Sequence, residues 1–158
     1  MEGFAGTSTP QLNVVRAAVD SSARKTQRVS LPNRRNARTW EARIGPERQA
    51  FSVTAGEYPD GRIGEIFIDS AVKQDSALSS ALNLLAVSVS LGLQHGVPLD
   101  EYVDAFIFTR FPPSGIIDGP GDIRFASSVA DWIFRTLAIH YLGRDDLATP
   151  SYKEDDEP

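Results

Sequence analysis

The longest uncharged stretch of the chain, residues 76–93, most constrains its fold. It reads SALSSALNLLAVSVSLGL, and its large apolar side chains recur at helical spacing. They are Leu78, Leu82, Leu85, Val89 and Leu93. Eighteen residues reach the length of a membrane span, but five serines and Asn83 would need hydrogen-bond partners in lipid. The stretch therefore predicts a mostly buried helix in a water-soluble fold, with no membrane span. Its serines form a small-residue seam that would also suit a homodimer contact, and Gly96 is expected to end the helix.

Strand patterns precede this helix. Trp40, Ala42 and Ile44 alternate with polar residues, and Phe51, Val53 and Ala55 repeat the alternation after GPERQ. Residues 39–55 therefore predict a hairpin with Gly45 in its loop. EYPDG is typical of a tight turn, and EIFID after it predicts a third antiparallel strand.

Two further helices are expected after the uncharged stretch. Pro98 suits a helix start, and the apolar face of this short second helix comprises Leu99, Tyr102, Val103, Phe106 and Ile107. A final helix is predicted over 122–142, with Asp122 as its cap and Asp131–Arg135 as an exposed ion pair worth tenths of a kcal/mol. The fold class is therefore α+β, with a small antiparallel sheet of about three strands packed against two or three helices.

The composition is that of one soluble domain, and its two terminal segments differ from the rest of the chain. Of the 158 residues, 41% are apolar and 23% are charged. We expect a flexible N-terminal extension over 1–30, in which QLNVVRAAV at 11–19 indicates a short helix, a folded domain over 31–147, and an acidic disordered tail over 148–158. The start of the sequence shows no signal peptide, so we expect a cytoplasmic protein.

The complete absence of cysteine excludes whole classes of chemistry. The sequence offers no disulfide, no thiolate nucleophile, no iron–sulfur ligand and no cysteine zinc site. His95 and His140 stand apart from any catalytic or metal-ligating pattern, so structural roles are expected for both. We therefore assign no catalytic residue and no metal ligand.

Four segments resemble a known family in order and spacing. They are LPNRRNARTWEARI, GEYPDGRIGEIFID, AVSVSLGLQHGVPLDEYVDAFIFTRFPPSG and ASSVADWIFRTLAIHYLGRDDLA. Together they resemble the C-terminal, TSCPD-type domain of adenosylcobalamin-dependent (class II) ribonucleotide reductases, over about residues 31–147. The resemblance implies a family reaction that uses a radical cysteine, paired cysteines and a cobalamin bound by another domain. Without thiols, this chain cannot perform that reaction alone, and we expect it to bind no cofactor.

Candidate binding residues cluster in three places. Residues 24–48 carry eight basic side chains against two glutamates, and Arg34, Arg35 and Arg38 among them could bind phosphates or lie against an acidic surface. In GEYPDGRIGE, Arg62 could bind a ligand, and a partner-binding rim is formed by Glu57, Asp60 and Glu65 unless the segment is simply a β-turn. Arg110 and Ser114 in TRFPPSG form a candidate small-anion site, although Arg110 could instead cap the preceding helix.

These features favour a stand-alone, non-catalytic binding or regulatory module for a protein partner or a nucleotide-like anion. The alternative is a split accessory subunit of a vitamin B12-dependent ribonucleotide reductase, which would serve deoxyribonucleotide synthesis. A third hypothesis is a nucleic-acid accessory protein. It is disfavoured because the pI near 5.0 lacks the usual basic footprint. The chain is expected to form a homo-oligomer.

Overall fold

A curled five-stranded antiparallel sheet forms the framework of the chain. The structure is a computed structural model and describes residues 26–71 and 76–149. The strands are β1 (Ala37–Ile44), β2 (Gln49–Glu57), β3 (Ile63–Ser70), β4 (Gly115–Asp118) and β5 (Phe125–Ala126), in the sheet order β3-β2-β1-β4-β5. The predicted hairpin and third strand are confirmed, and Trp40 pairs with Val53 across the hairpin.

The sequence-based strand count of about three was too low, because β4 and β5 are very short. β4 joins the end of β1, where Ile44 faces Ile117. The turn after β1 lies tightly against the segment before β4. A Cβ on Gly45, whose φ is +78°, would lie 2.9 Å from the Ser114 carbonyl oxygen, so a side chain there would push the two strands apart.

Helix α1 spans Ala77–Gln94 and packs along β3. The Ser76 side chain caps it by accepting a hydrogen bond from the Ser79 amide at 3.1 Å, and Gly96 follows its end with a φ of +91°. By length and composition alone α1 could cross a membrane, as the uncharged stretch suggested. Only 28% of its residues are buried, however, so the prediction of a mostly buried helix was wrong.

The polar seam of α1 covers the free edge of the sheet. The Ile66 backbone amide donates to the Ser90 hydroxyl at 2.9 Å, and the Gln94 side-chain amide donates to the Gly64 carbonyl at 3.1 Å. The Ile66 amide and the Gly64 carbonyl belong to β3, whose outer edge would otherwise present unpaired backbone donors and acceptors. This part of the seam therefore serves the chain's own sheet, and a dimer formed through α1 would have to use its other side.

Two more helices complete the domain, α2 (Leu99–Phe106) and α3 (Val129–Leu142). α3 begins seven residues later than predicted, because Asp122 lies before β5 and does not cap the helix. The cap is Ser128, whose side chain accepts a hydrogen bond from the Asp131 amide at 3.0 Å. Ten consecutive residues, Val129–Ala138, are buried. A helix buried on every side lies at the centre of a fold, and here the sheet, α2 and a short 3-10 helix at Asp145–Leu147 surround α3.

The Asp131–Arg135 pair is part of the core, which corrects the prediction of an exposed pair. The Asp131 side chain is 1% exposed, and its carboxylate accepts hydrogen bonds from the amides of Phe108 at 2.8 Å and Ser127 at 2.9 Å. Arg135 donates to the Leu147 carbonyl and lies 3.4 Å from the Asp131 carboxylate. The pair ties the loop after α2 and the 3-10 helix to α3.

Candidate functional site

The arginine segment before β1 lies against the body of the domain. Arg35 forms an ion pair with Glu65, whose side chain lies across Gly56 on the outer face of the sheet. A Cβ at Gly56 would occupy the space of the Glu65 side chain. Two of the predicted site residues, Arg35 and Glu65, therefore meet and neutralise each other.

Two more of the predicted site residues, Arg38 and Glu57, meet at the end of α3. Arg38 lies 3.0 Å from the Glu57 carboxylate, which also accepts a hydrogen bond of 2.7 Å from the Tyr141 hydroxyl. Glu57 is buried although β2 ends there, and the strand register shifts at this point in a β-bulge. Burial first, and then the bond to Glu57, raises the pKa of Tyr141 above its ordinary value of 10.0.

Aromatic rings surround this cluster. Trp40 stacks on His140 with ring centroids 4.9 Å apart, and it meets Tyr141 edge-on at 6.2 Å. The Arg38 guanidinium lies 6.0 Å from the centre of the Tyr141 ring. These contacts fix Tyr141 from several sides, so its hydroxyl is held towards Glu57.

A third ion pair between predicted site residues, Asp60 and Arg62, lies in the turn between β2 and β3. Their charged atoms are 2.7 Å apart, and both side chains are more than half exposed. The hydrogen bond from Arg62 lowers the pKa of Asp60, and the same contact raises the pKa of Arg62. The Arg62 guanidinium also lies 5.2 Å from the centre of the Tyr58 ring. An exposed pair of this kind adds little stability, so its charges stay available to a partner.

Next to this turn is a cleft of about 470 Å³, which we name the Tyr141 cleft. Its rim carries Asp60 and Arg62, and Tyr141 and Leu142 line it from α3. Its apolar lining comes from Ile63, Leu93, Val97, Pro98 and Leu99. A concave apolar surface with a few polar groups is the usual form of a binding site. This cleft can accept an apolar group whose flanks carry charge.

The remaining predicted site residues lie apart from this cleft. Arg34 and Arg110 are exposed and form no ion pair within residues 26–71 and 76–149. Ser114 lines a different cleft, together with Pro112, Pro113 and Leu78. Arg28 donates to the Gln94 side chain at 2.6 Å, whereas Arg24 and Lys25 lie outside the described residues.

A second cleft, beside Arg43 and Asp118, has the same volume as the Tyr141 cleft, about 470 Å³, and both lie within the range for drug-sized ligands. In the described part of the chain, no three His, Asp or Glu side chains converge as metal ligands would. His95 contacts Thr26, and His140 stacks on Trp40.

Sequence reasoning missed Tyr141 as a site residue and missed the apolar lining of the cleft. Helical spacing from Ile133 and Leu137 places Tyr141 on the buried side of the last helix and does not mark it as a polar group of a site. The signal available was its position at the end of that helix, where a polar tip can reach solvent or another polar group. Glu57 gave no signal that it would be buried, because its partner Tyr141 is 84 residues away in sequence.

Fold and site together define the class of the protein, a small α+β domain in which a curled antiparallel sheet packs against three helices. Comparison with known proteins identifies the family. The TSCPD domain profile matches residues 23–141, and the chain belongs to the TSCPD domain family. The predicted resemblance to the C-terminal domain of vitamin B12-dependent ribonucleotide reductases is thereby confirmed.

The curated relatives are all named vitamin B12-dependent ribonucleotide reductase. The chain is 46% identical over 144 residues to the vitamin B12-dependent ribonucleotide reductase of Bradyrhizobium diazoefficiens. The matched segment covers 91% of this chain and 11% of that reductase. It is 49% identical over 122 residues to the enzyme of Agrobacterium fabrum, covering 77% of this chain and 9% of that protein. The chain thus spans about a tenth of the length of these relatives. No solved structure matches it significantly.

Proposed function

We propose that this chain is a non-catalytic binding module of a vitamin B12-dependent ribonucleotide reductase system and docks on the large reductase chain. One observation carries the proposal. A sequence 46% identical over 91% of the chain corresponds to 11% of a reductase, so the rest of such a reductase is the natural partner. The cysteine chemistry of ribose reduction would reside in that partner, since this sequence contains no cysteine.

The Tyr141 cleft is the docking site in this proposal. Its lining is apolar and its rim carries Asp60 and Arg62, which suits an apolar side chain flanked by charged residues on a protein surface. A nucleotide-like anion fits less well, because Arg35 and Arg38 each already pair with a largely buried carboxylate. A phosphate would have to displace those carboxylates. The same contacts disfavour nucleic acid as the ligand.

The test is calorimetric titration of this chain into the Bradyrhizobium diazoefficiens reductase from which the matching segment has been removed. Retention of adenosylcobalamin binding, measured by absorbance, first establishes that the truncated reductase is folded. Saturable binding is expected. Val97→Asp should weaken it by about tenfold or more, because it places a charge in the apolar lining, where Val97 is 38% exposed.

Ile116→Asp is the matched control, since Ile116 is 71% exposed and lies outside the cleft. It should bind like the natural chain. If the natural chain does not bind, the docking proposal is wrong. If Val97→Asp and Ile116→Asp bind equally well, the partner docks somewhere other than the Tyr141 cleft.

A further inference from the structure

One side of α1 is an apolar surface that no described residue covers. Leu84, Val87 and Leu91 are 67%, 49% and 40% exposed, and their spacings of three and four place them on one face. No residue of α1 carries a charge. An exposed apolar stripe on an uncharged helix is typical of a contact surface.

The described chain begins at the end of that stripe. The ring nitrogen Nδ1 of His95 lies 2.8 Å from the Thr26 carbonyl and 3.0 Å from the Thr26 hydroxyl. His95 follows α1 directly and lies four residues after Leu91, so it continues the same face. The Val29 amide donates to the Gln94 carbonyl at 2.9 Å and fixes the next residues there. Thr26, the first described residue, therefore lies beside the end of the exposed stripe.

The preceding sequence contains a segment of matching length and chemistry. QLNVVRAAV, residues 11–19, lies outside the described residues; it has no acidic side chain, and Leu12, Val15 and Val19 share one face at spacings of three and four. As a helix it would be about 13 Å long, against about 10 Å from Leu84 to Leu91. The six residues at 20–25 can span about 20 Å when extended, which is enough to turn back along α1.

We infer that residues 11–19 bind as a short amphipathic helix across Leu84, Val87 and Leu91 of the same chain. The segment would remove those side chains from water and leave Arg16 at the edge of the contact. Binding within one chain is favoured because the short connection gives the segment a high effective concentration at the stripe. This inference does not depend on the proposed function, since the contact lies on α1 and not on the rim of the Tyr141 cleft.

Disulfide trapping in the full chain tests the inference, because a chain without natural cysteines contains only the thiols that are introduced. Val15→Cys with Val87→Cys should form an intramolecular disulfide under mild oxidation, as the two positions would come within bonding reach. Ala17→Cys with Val87→Cys is the control, because Ala17 lies on the opposite face of the segment. Trapping of the first pair should be about fivefold faster or more.

Two further variants keep the result decisive. Val19→Asp, added to the Val15/Val87 cysteine pair, should slow trapping several-fold, because it places a charge in the apolar contact. Leu84→Cys replaces Val87→Cys if the latter does not fold. Equal trapping of the Val15 and Ala17 pairs would overturn the inference, as would a product that is mainly an intermolecular dimer, since a second copy would then cover α1.

Discussion

Removing the Asp131 carboxylate should destabilise the domain far more than removing an exposed carboxylate. Asp131→Ala takes the acceptor from two partly buried backbone amides, those of Phe108 and Ser127, and leaves the Arg135 guanidinium without its carboxylate. Breaking a buried ion pair from one side costs about 3–5 kcal/mol. Domains of this size are stable by about 5–15 kcal/mol, so the loss would be a large part of the total.

Urea unfolding followed by circular dichroism measures this loss. The midpoint should fall while the slope stays constant, because the surface exposed on unfolding is unchanged. Asp146→Ala is the control: Asp146 is 61% exposed and pairs with Arg144 at 2.8 Å. Its removal should have little effect on the free energy of unfolding. Similar losses for Asp131→Ala and Asp146→Ala would refute the assignment of the Asp131–Arg135 pair to the core.

Two further predictions concern the sheet edge and the Tyr141 cluster. Ser90→Ala should lower the free energy of unfolding by about 1–2 kcal/mol in urea titrations, because the backbone of Ile66 loses its side-chain partner. The exposed Ser88→Ala on the same helix should be neutral or slightly stabilising, and equal losses would contradict the edge contact. The raised pKa of Tyr141 means that the folded state keeps its phenol proton at a pH where the unfolded state loses it. The free energy of unfolding should therefore fall as the pH rises above 10.0, the ordinary pKa of tyrosine. Tyr141→Phe should reduce that fall when unfolding is measured across the alkaline range. An unchanged dependence of stability on pH in this variant would contradict the prediction.

Local patterns predicted the central part of the fold. Alternation at Trp40, Ala42 and Ile44 and again at Phe51, Val53 and Ala55 identified β1 and β2, because each strand has one buried face. Gly96 indicated the end of α1, and its φ of +91° is the left-handed conformation that favours glycine after a helix. β4 and β5 could not be found in this way, because strands of four and two residues are too short to show a period.

The errors in the helices share a physical cause. Side-chain spacing indicates which residues share a face, but it does not indicate which face the rest of the chain covers. The uncharged stretch therefore appeared to be mostly buried, although the chain covers only one side of α1. The Asp131–Arg135 pair appeared to be exposed, although other segments of the chain supply its partners. In both cases the deciding contacts come from residues distant in sequence.

The candidate site was predictable in part. The charged residues Arg38, Glu57, Asp60 and Arg62 were singled out from sequence, and the structure brings them to one end of α3 or to the rim of the adjacent cleft. The sequence offered an acidic surface as one partner of the arginine segment but could not indicate which carboxylates it would meet, Glu65 for Arg35 and Glu57 for Arg38. It also could not place Leu93 and Leu99 in the lining, since that requires the junction of α1 and α2 to fold beside the turn before β3.

Turnover of the Bradyrhizobium diazoefficiens reductase lacking the matching segment tests the central claim most directly, with adenosylcobalamin and a thiol reductant present and deoxyribonucleotide formation as the readout. We expect this chain to form no deoxyribonucleotide alone and to raise the rate of the truncated reductase when it is added, with Val97→Asp less effective than Ile116→Asp. Deoxyribonucleotide synthesis by this chain alone, or an unchanged rate for the truncated reductase at saturating amounts of it, would contradict the claim.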